Sequence, residues 1–282
     1  MTPSLSVQLY SLGSLPARQP HEVVERLAEL GYAGVEPVIA RGSDAMLEWA
    51  RSMGAPEMEP VDLVALRAAL DAHGMVAPSS HCMLPEGDEA EAILDEQEAL
   101  GSTRLVVPAL FDAEAGTVEA FDDLDRIKRL AERFNAAAER ARPRGIRIGY
   151  HNHFWEFATD FDGRSGLERF YELCEPDVFA EVDVYWAQLG GRDPVDLLAS
   201  LGDRVELLHV KDGDGRPEPS CPLGEGVVDV RGVLDAAPSA TWHVVELEGL
   251  DEEQVWPVLA QSHDFLVGSG LSIGRAGADA GA

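Results

Sequence analysis

Tyr150-His151-Asn152-His153-Phe154-Trp155-Glu156-Phe157 follows directly on the apolar run Ile146 to Tyr150. Two imidazoles, an amide and a carboxylate therefore crowd together where a buried strand is expected to end. Desolvated polar side chains must find partners or cost stability. The cluster reads either as a site or as a set of core histidines bonded to backbone carbonyls, and the surrounding chain has to decide.

Working outward, strand and helix patterns alternate on both sides. Leu5 to Leu9, Tyr32 to Pro37, Met75 to Ser80 and Thr103 to Pro108 read as strands one to four. Ile146 to Tyr150 is the fifth, and Val178 to Val184, Val205 to Lys211 and Trp242 to Glu248 are strands six to eight. Between them lie helical patterns at Glu22 to Leu30, Asp44 to Trp49, Asp62 to Ala72 and Asp88 to Leu100, with the loop Gly54 to Pro60 splitting Asp44 to Trp49 from Asp62 to Ala72. Val118 to Arg142 carries Leu124, Ile127, Leu130 and Phe134 on one face, as a helix packed on a sheet should. Leu167 to Leu173, Pro194 to Leu201, Val230 to Ala236 and Gln254 to Ala260 complete the count. Eight such units predict a single (β/α)8 TIM barrel over residues 1–266, with a doubly wound open sheet as runner-up. Residues 267–282 are small and polar and read as a disordered tail. Neither Gly-x-Gly-x-x-Gly nor Gly-x-x-x-x-Gly-Lys occurs where a nucleotide cradle would need it.

The strands are apolar until their C-terminal ends, where each of several carries an ionisable group: Glu36, His81, the His151 to Glu156 cluster, Asp183, His209 with Lys211, and Glu246. In a (β/α)8 barrel those ends meet on one face. Carboxylates on the sixth and eighth strands, an imidazole on the seventh and a further group on the fifth make a mixed shell suited to Mn²⁺, Mg²⁺, Co²⁺ or Zn²⁺. Bland readings compete: Asp183 as a cap for the loop into Gly190, His209 as a core histidine, Lys211 as a solvated charge, Trp155 and Trp186 as rim packing. Glu246 and Glu248 share parity, hence one face, and Glu246 is the deeper.

Lysine and arginine number 22 against 51 aspartates and glutamates, a net charge of −29. Such a surface argues against nucleic acid and anionic membranes, which need basic residues opposite them. Cys82, Cys174 and Cys221 are scattered and odd in number, which suits a reducing cytoplasm rather than a disulfide framework. No run approaches the roughly 18 apolar residues of a membrane span.

The chain resembles the sugar phosphate isomerase/epimerase superfamily of xylose isomerase-like TIM barrels, in the branch whose fifth strand reads Tyr-His-Asn-His-x-x-Glu-Phe. The resemblance runs through Ser6 to Tyr10, Gly31 to Glu36, the opening motif, Asp183-Val184-Tyr185-Trp186, Leu208 to Asp212, Gly224-Glu225-Gly226 and Val245-Glu246. It implies one divalent metal, Mn²⁺ first, on Asp183, His209, Glu246 and a fifth-strand ligand, with Glu156 the expected residue and His151 or His153 the alternatives. It also implies proton removal next to a carbonyl, with Glu246 or His151 as base, His153 returning a proton and Lys211 steadying negative charge. Glu36, His81, Trp155 and Trp186 are then expected to face the substrate, a sugar or cyclitol. Neighbouring branches isomerise or epimerise ketoses, dehydrate keto-inositols or cleave 3-keto-glycosides. An apurinic endonuclease would need a basic groove, and a non-catalytic sugar-binding protein could dispense with the metal shell. A homo-oligomer remains open.

Overall fold

The computed structural model describes residues 1–39, 59–112, 117–118 and 121–275. Its framework is eight parallel strands: β1 (Ser4–Gln8), β2 (Gly34–Glu36), β3 (Ser80–His81), β4 (Arg104–Val107), β5 (Arg147–His151), β6 (Phe179–Asp183), β7 (Val205–Val210) and β8 (Trp242–Val245). They run β2-β1-β8-β7-β6-β5-β4-β3 around the sheet. The remaining seam is bridged at Gly34 to Val76 and Val38 to His81. There His81 N–H donates to Pro37 O at 2.9 Å and Ile39 N–H donates to His81 O at 2.8 Å. The sheet thus returns on itself as the expected (β/α)8 barrel.

A helix follows each strand: α1 (Pro20–Leu30), α2 (Leu63–His73), α3 (Ala90–Leu100), α4 (Leu124–Ala141), α5 (Gly166–Leu173), α6 (Pro194–Leu201), α7 (Val230–Asp235) and α8 (Glu252–Gly268). Their N-termini follow the capping chemistry of the sequence. Asp62 Oδ1 accepts from Val64 N and Ala65 N, each at 3.0 Å, and Ser165 with Glu168 forms a reciprocal capping box on α5.

Some expectations need correction. Leu124 is half exposed, because it is the first residue after the cap Asp123; the buried face of α4 begins at Ile127. The third strand is two residues long rather than six, since Pro78 lacks an N–H for the ladder and Val76 makes only an isolated pairing. α8 continues eight residues past Ala260. Residues 267–275, read from sequence as tail, are tied to the barrel: Ile273 exchanges backbone bonds with Leu5 and Pro3, and Arg275 N–H reaches Gly31 O. Residues 276–282 lie outside the described residues, as do Asp44 to Trp49 and the loop from Gly54 to residue 58.

Strand alternation sorts the barrel interior into layers. Phe179, Glu181 and Asp183 share one face of β6, and Gly149 and His151 share one face of β5. At the lower level Val106, Phe179, Leu207 and the partly buried Trp242 form an apolar plug separate from the main core. Gly149 makes room for it: a Cβ there would lie 2.4 Å from the Phe179 ring. The polar layers sit above this plug.

Candidate metal centre and barrel mouth

β5 to β8 deliver one ligand-capable group each to a common point. Atoms of His151, Asp183, His209 and Glu246 all lie within 4.8 Å of one another, and all four residues are buried. His209 Nδ1 is 3.1 Å from Glu246 Oε2. Asp183 performs two tasks at once. Its Oδ1 accepts from Trp186 N at 2.7 Å, starting the short helix Val184–Leu189, while Oδ2 is buried without a hydrogen-bond partner. The cap reading and the ligand reading of Asp183 are therefore compatible, one oxygen for each.

Lys211 is fully buried, with its ammonium 3.0 Å from Glu246 Oε2, 3.1 Å from Glu248 Oε2 and 3.4 Å from Asp183 Oδ2. None of the three contacts has hydrogen-bonding angles. The ammonium therefore contributes as a charge. Burial opposes ionisation of Glu246, but Lys211 and His209 outweigh it and hold that carboxyl well below its usual range. Burial pushes Glu248 up to about 7, against the pull of Lys211. Burial, reinforced by His209, depresses His151 well below an ordinary imidazole. His153 is lowered to about 3 by burial and by Lys211. Both rings are neutral and have lone pairs to offer.

The opening motif divides its labour. His151 points into the cluster with Nδ1 unpartnered. Asn152 clamps β5 to β6, accepting from Asp183 N and donating to Asp183 O, each at 3.1 Å. His153 stacks on Trp155 with ring centroids 4.2 Å apart and has Trp186 6.0 Å away. Phe154, 40% exposed, lies over the same aromatic group.

Glu156 is not in the cluster, contrary to the sequence expectation. The chain turns into a 3-10 helix at Trp155–Phe157, so the carboxyl folds back onto its own strand. It accepts from Tyr150 Oη at 2.6 Å and from His153 N at 2.9 Å. Burial raises it to about 8. His151 occupies the fifth-strand place instead.

Glu36 and His81 each have one polar atom engaged inside the barrel. Glu36 Oε1 is 2.7 Å from His209 Nε2, and His81 Nε2 is 2.7 Å from Glu181 Oε2. Glu181, which the sequence reading passed over, is central to this second group of His81, His151, Glu181 and His209. Its parity with Asp183 was the available signal. Burial and the Glu36 charge push it up to about 7. Asp212 was also missed. It accepts from the backbone N–H of Gly213, Gly224, Gly226 and Val228, and so pins the glycine-rich loop beside Lys211.

The donor set fits a divalent cation. Asp183 Oδ2 and His151 Nδ1 are buried without a hydrogen-bond partner, and such groups cost stability unless something satisfies them. The fit extends to charge, because among the described residues Glu36, Glu181, Asp183, Glu246 and Glu248 outnumber the Lys211 ammonium and the two imidazoles, His81 and His209, that face them and whose pKa their charge raises against burial.

A closed (β/α)8 barrel with imidazoles and carboxylates gathered at its strand ends defines the class, and sequence comparison supplies the family. The chain belongs to the xylose isomerase-like TIM barrel family, whose sequence model matches residues 24–262. Inosose dehydratase of Lacticaseibacillus casei is 29% identical over 126 residues, covering 42% of this chain and 41% of that relative, so the match spans about two fifths of the relative's length. A sugar phosphate isomerase/epimerase from Parabacteroides distasonis ATCC 8503 has the same fold, with a TM-score of 0.72 at 24% identity over 94% of each chain. So does the IOLI protein with a binding zinc atom, with a TM-score of 0.67 at 14% identity over 94% of this chain and 98% of that one. Among the described residues no helix is long and apolar enough to cross a membrane.

Proposed function

We propose that the barrel mouth holds one divalent cation on His151, Asp183, His209 and Glu246, and that the protein is a sugar isomerase or epimerase moving the proton next to the carbonyl of a keto-sugar. The observation that carries this reading is the convergence of four buried ligand atoms, two of them without a hydrogen-bond partner. Mn²⁺ is the first choice, with Mg²⁺, Co²⁺ and Zn²⁺ as alternatives. A bound cation would supply Lewis acidity at the substrate's carbonyl oxygen.

The chain's own groups do the rest. Glu246, ionised beside Lys211, takes the proton from the carbon next to the carbonyl. His153, neutral and with Nδ1 unpartnered, accepts a proton on that lone pair and passes it back to substrate as a relay. The Lys211 ammonium offsets the negative charge that develops on oxygen. Phe154, Trp155 and Trp186 offer apolar faces to a sugar or cyclitol ring, and the low arginine and lysine content favours an unphosphorylated one.

A metal-dependent lyase acting on a keto-inositol or 3-keto-glycoside is the second reading. It is favoured by the inosose dehydratase relatives.

Metal content after Mn²⁺ reloading tests the site: near one ion per chain in the parent, with a large loss in Asp183→Ala and His209→Ala. Incubating keto-sugars and keto-inositols in deuterated water then separates the reactions. Deuterium in an interconverted sugar supports the isomerase, and loss of water or of an aglycone supports the lyase. A protein that binds sugar but neither metal nor deuterium label would be a binding protein, and the proposal would fall.

A further inference from the structure

A neutral histidine offers a metal only one lone pair, and the partner of its other nitrogen decides which. His209 has a carboxylate at each end of its ring: Glu246 Oε2 is 3.1 Å from Nδ1, and Glu36 Oε1 is 2.7 Å from Nε2. The Nδ1 side faces Glu246 Oε2, which lies 3.0 Å from the Lys211 ammonium, and that ammonium is 3.4 Å from Asp183 Oδ2. The Nε2 side has the denser support, because Glu181 Oε2 also lies 3.2 Å from Nε2. Gln8 Nε2 donates to Glu36 Oε1 at 2.7 Å, from a residue paired with Glu36 across β1 and β2. The His81 ring lies parallel to that of His209, 5.2 Å between centroids and 6° between planes. His81 is itself held by Glu181 at 2.7 Å. Glu36 and His209 both have zero exposure, so no water competes for the Nε2 proton.

From this geometry, and resting on the cation site proposed above, we infer that Glu36 is a positioning residue: it takes the Nε2 proton of His209 and so reserves the Nδ1 lone pair for the cation. Gln8, His81 and Glu181 keep the carboxylate and the ring in register. Carboxylates in this role typically change metal affinity by about 10–100-fold when removed.

The test uses the full chain with ¹⁵N-labelled histidine, loaded with ¹¹³Cd²⁺ as the probe ion. In the parent, cadmium coupling is expected on His209 Nδ1, with the ring proton on Nε2. Glu36→Gln, shown to be folded by circular dichroism, is expected to bind Cd²⁺ about 10–100-fold more weakly, with mixed tautomers at His209. Cadmium coupling on Nε2 of the parent overturns the inference, as does a Glu36→Gln dissociation constant within twofold of the parent. Should Glu36→Gln not fold, the parent's coupling pattern alone decides. If the parent binds no Cd²⁺, the cation site fails and this inference with it, whereas coupling on the wrong nitrogen overturns the positioning role alone.

Discussion

Gly149→Ala is the most exacting test of how the polar layers are supported. The substitution adds one methyl group, and on an exposed strand it would stabilise by about 0.4–1 kcal/mol through the unfolded chain. Here the new Cβ would lie 2.4 Å, 2.5 Å and 2.7 Å from three atoms of the Phe179 ring. That ring is fully buried against Val106, Leu207 and Trp242, with the Arg147 guanidinium 5.6 Å from its centre. Overpacking of this kind costs about 1–3 kcal/mol, sometimes more, so the clash outweighs the entropic gain. A net loss of about 2 kcal/mol corresponds to a fall in Tm of about 3–4 °C for a chain of this size. Because His151 follows two residues later on the same face, metal affinity should fall as well. Phe179→Leu relieves the clash, so the double variant should be less destabilised than the two single changes together by at least about 1 kcal/mol. Urea denaturation of all four proteins measures this. Additivity within about 0.5 kcal/mol would refute the packing argument.

Other consequences are quicker to check. His151→Ala should lose the metal while Glu156→Ala keeps it, since Glu156 instead satisfies Tyr150 Oη and His153 N; Glu156→Ala should show its cost in urea as about 1–3 kcal/mol for buried donors left unpaired. His243, paired with Ser272 Oγ at 2.8 Å, is lowered by burial from 6.5 to about 4. The unfolded chain therefore takes up the proton first, and stability is lost as pH falls from 6.5 towards 4, by about 2 kcal/mol at pH 5. His243→Gln should lack this component, so its stability relative to the parent should improve between pH 7 and pH 5, and a constant difference would contradict the assignment. Asp212→Ala leaves four backbone N–H groups without their acceptor; limited proteolysis should cut between residues 213 and 228 faster than in the parent, with an unchanged rate arguing against the pin.

What could be read from the sequence divides along physical lines. The barrel was legible because an apolar run ending in a charged residue recurs, and desolvation makes that pattern expensive unless the ends converge. Asp183, His209 and Glu246 were legible for the same reason. Glu156 was misplaced because spacing along a motif does not reveal where the chain leaves the strand; the turn at Trp155 carries the carboxyl back to Tyr150. Glu181 was hidden inside an apolar strand, although the parity used for Glu246 and Glu248 applies equally to Glu181 and Asp183. Residues 267–275 have the composition of a tail, yet backbone hydrogen bonds dock them, and composition does not encode backbone pairing.

In the proposed site, the divided carboxylate of Asp183 would make cation geometry and ring recognition mechanically inseparable. One oxygen faces the ligand cluster, and the other fixes the first turn of the segment that presents Trp186. A substrate that pushed on the indole would therefore pull on a proposed cation ligand through a rigid, planar group. Selectivity could then be tuned by residues that never touch the substrate, such as Asn152, whose clamp on the Asp183 backbone sets the pivot about which that lever turns.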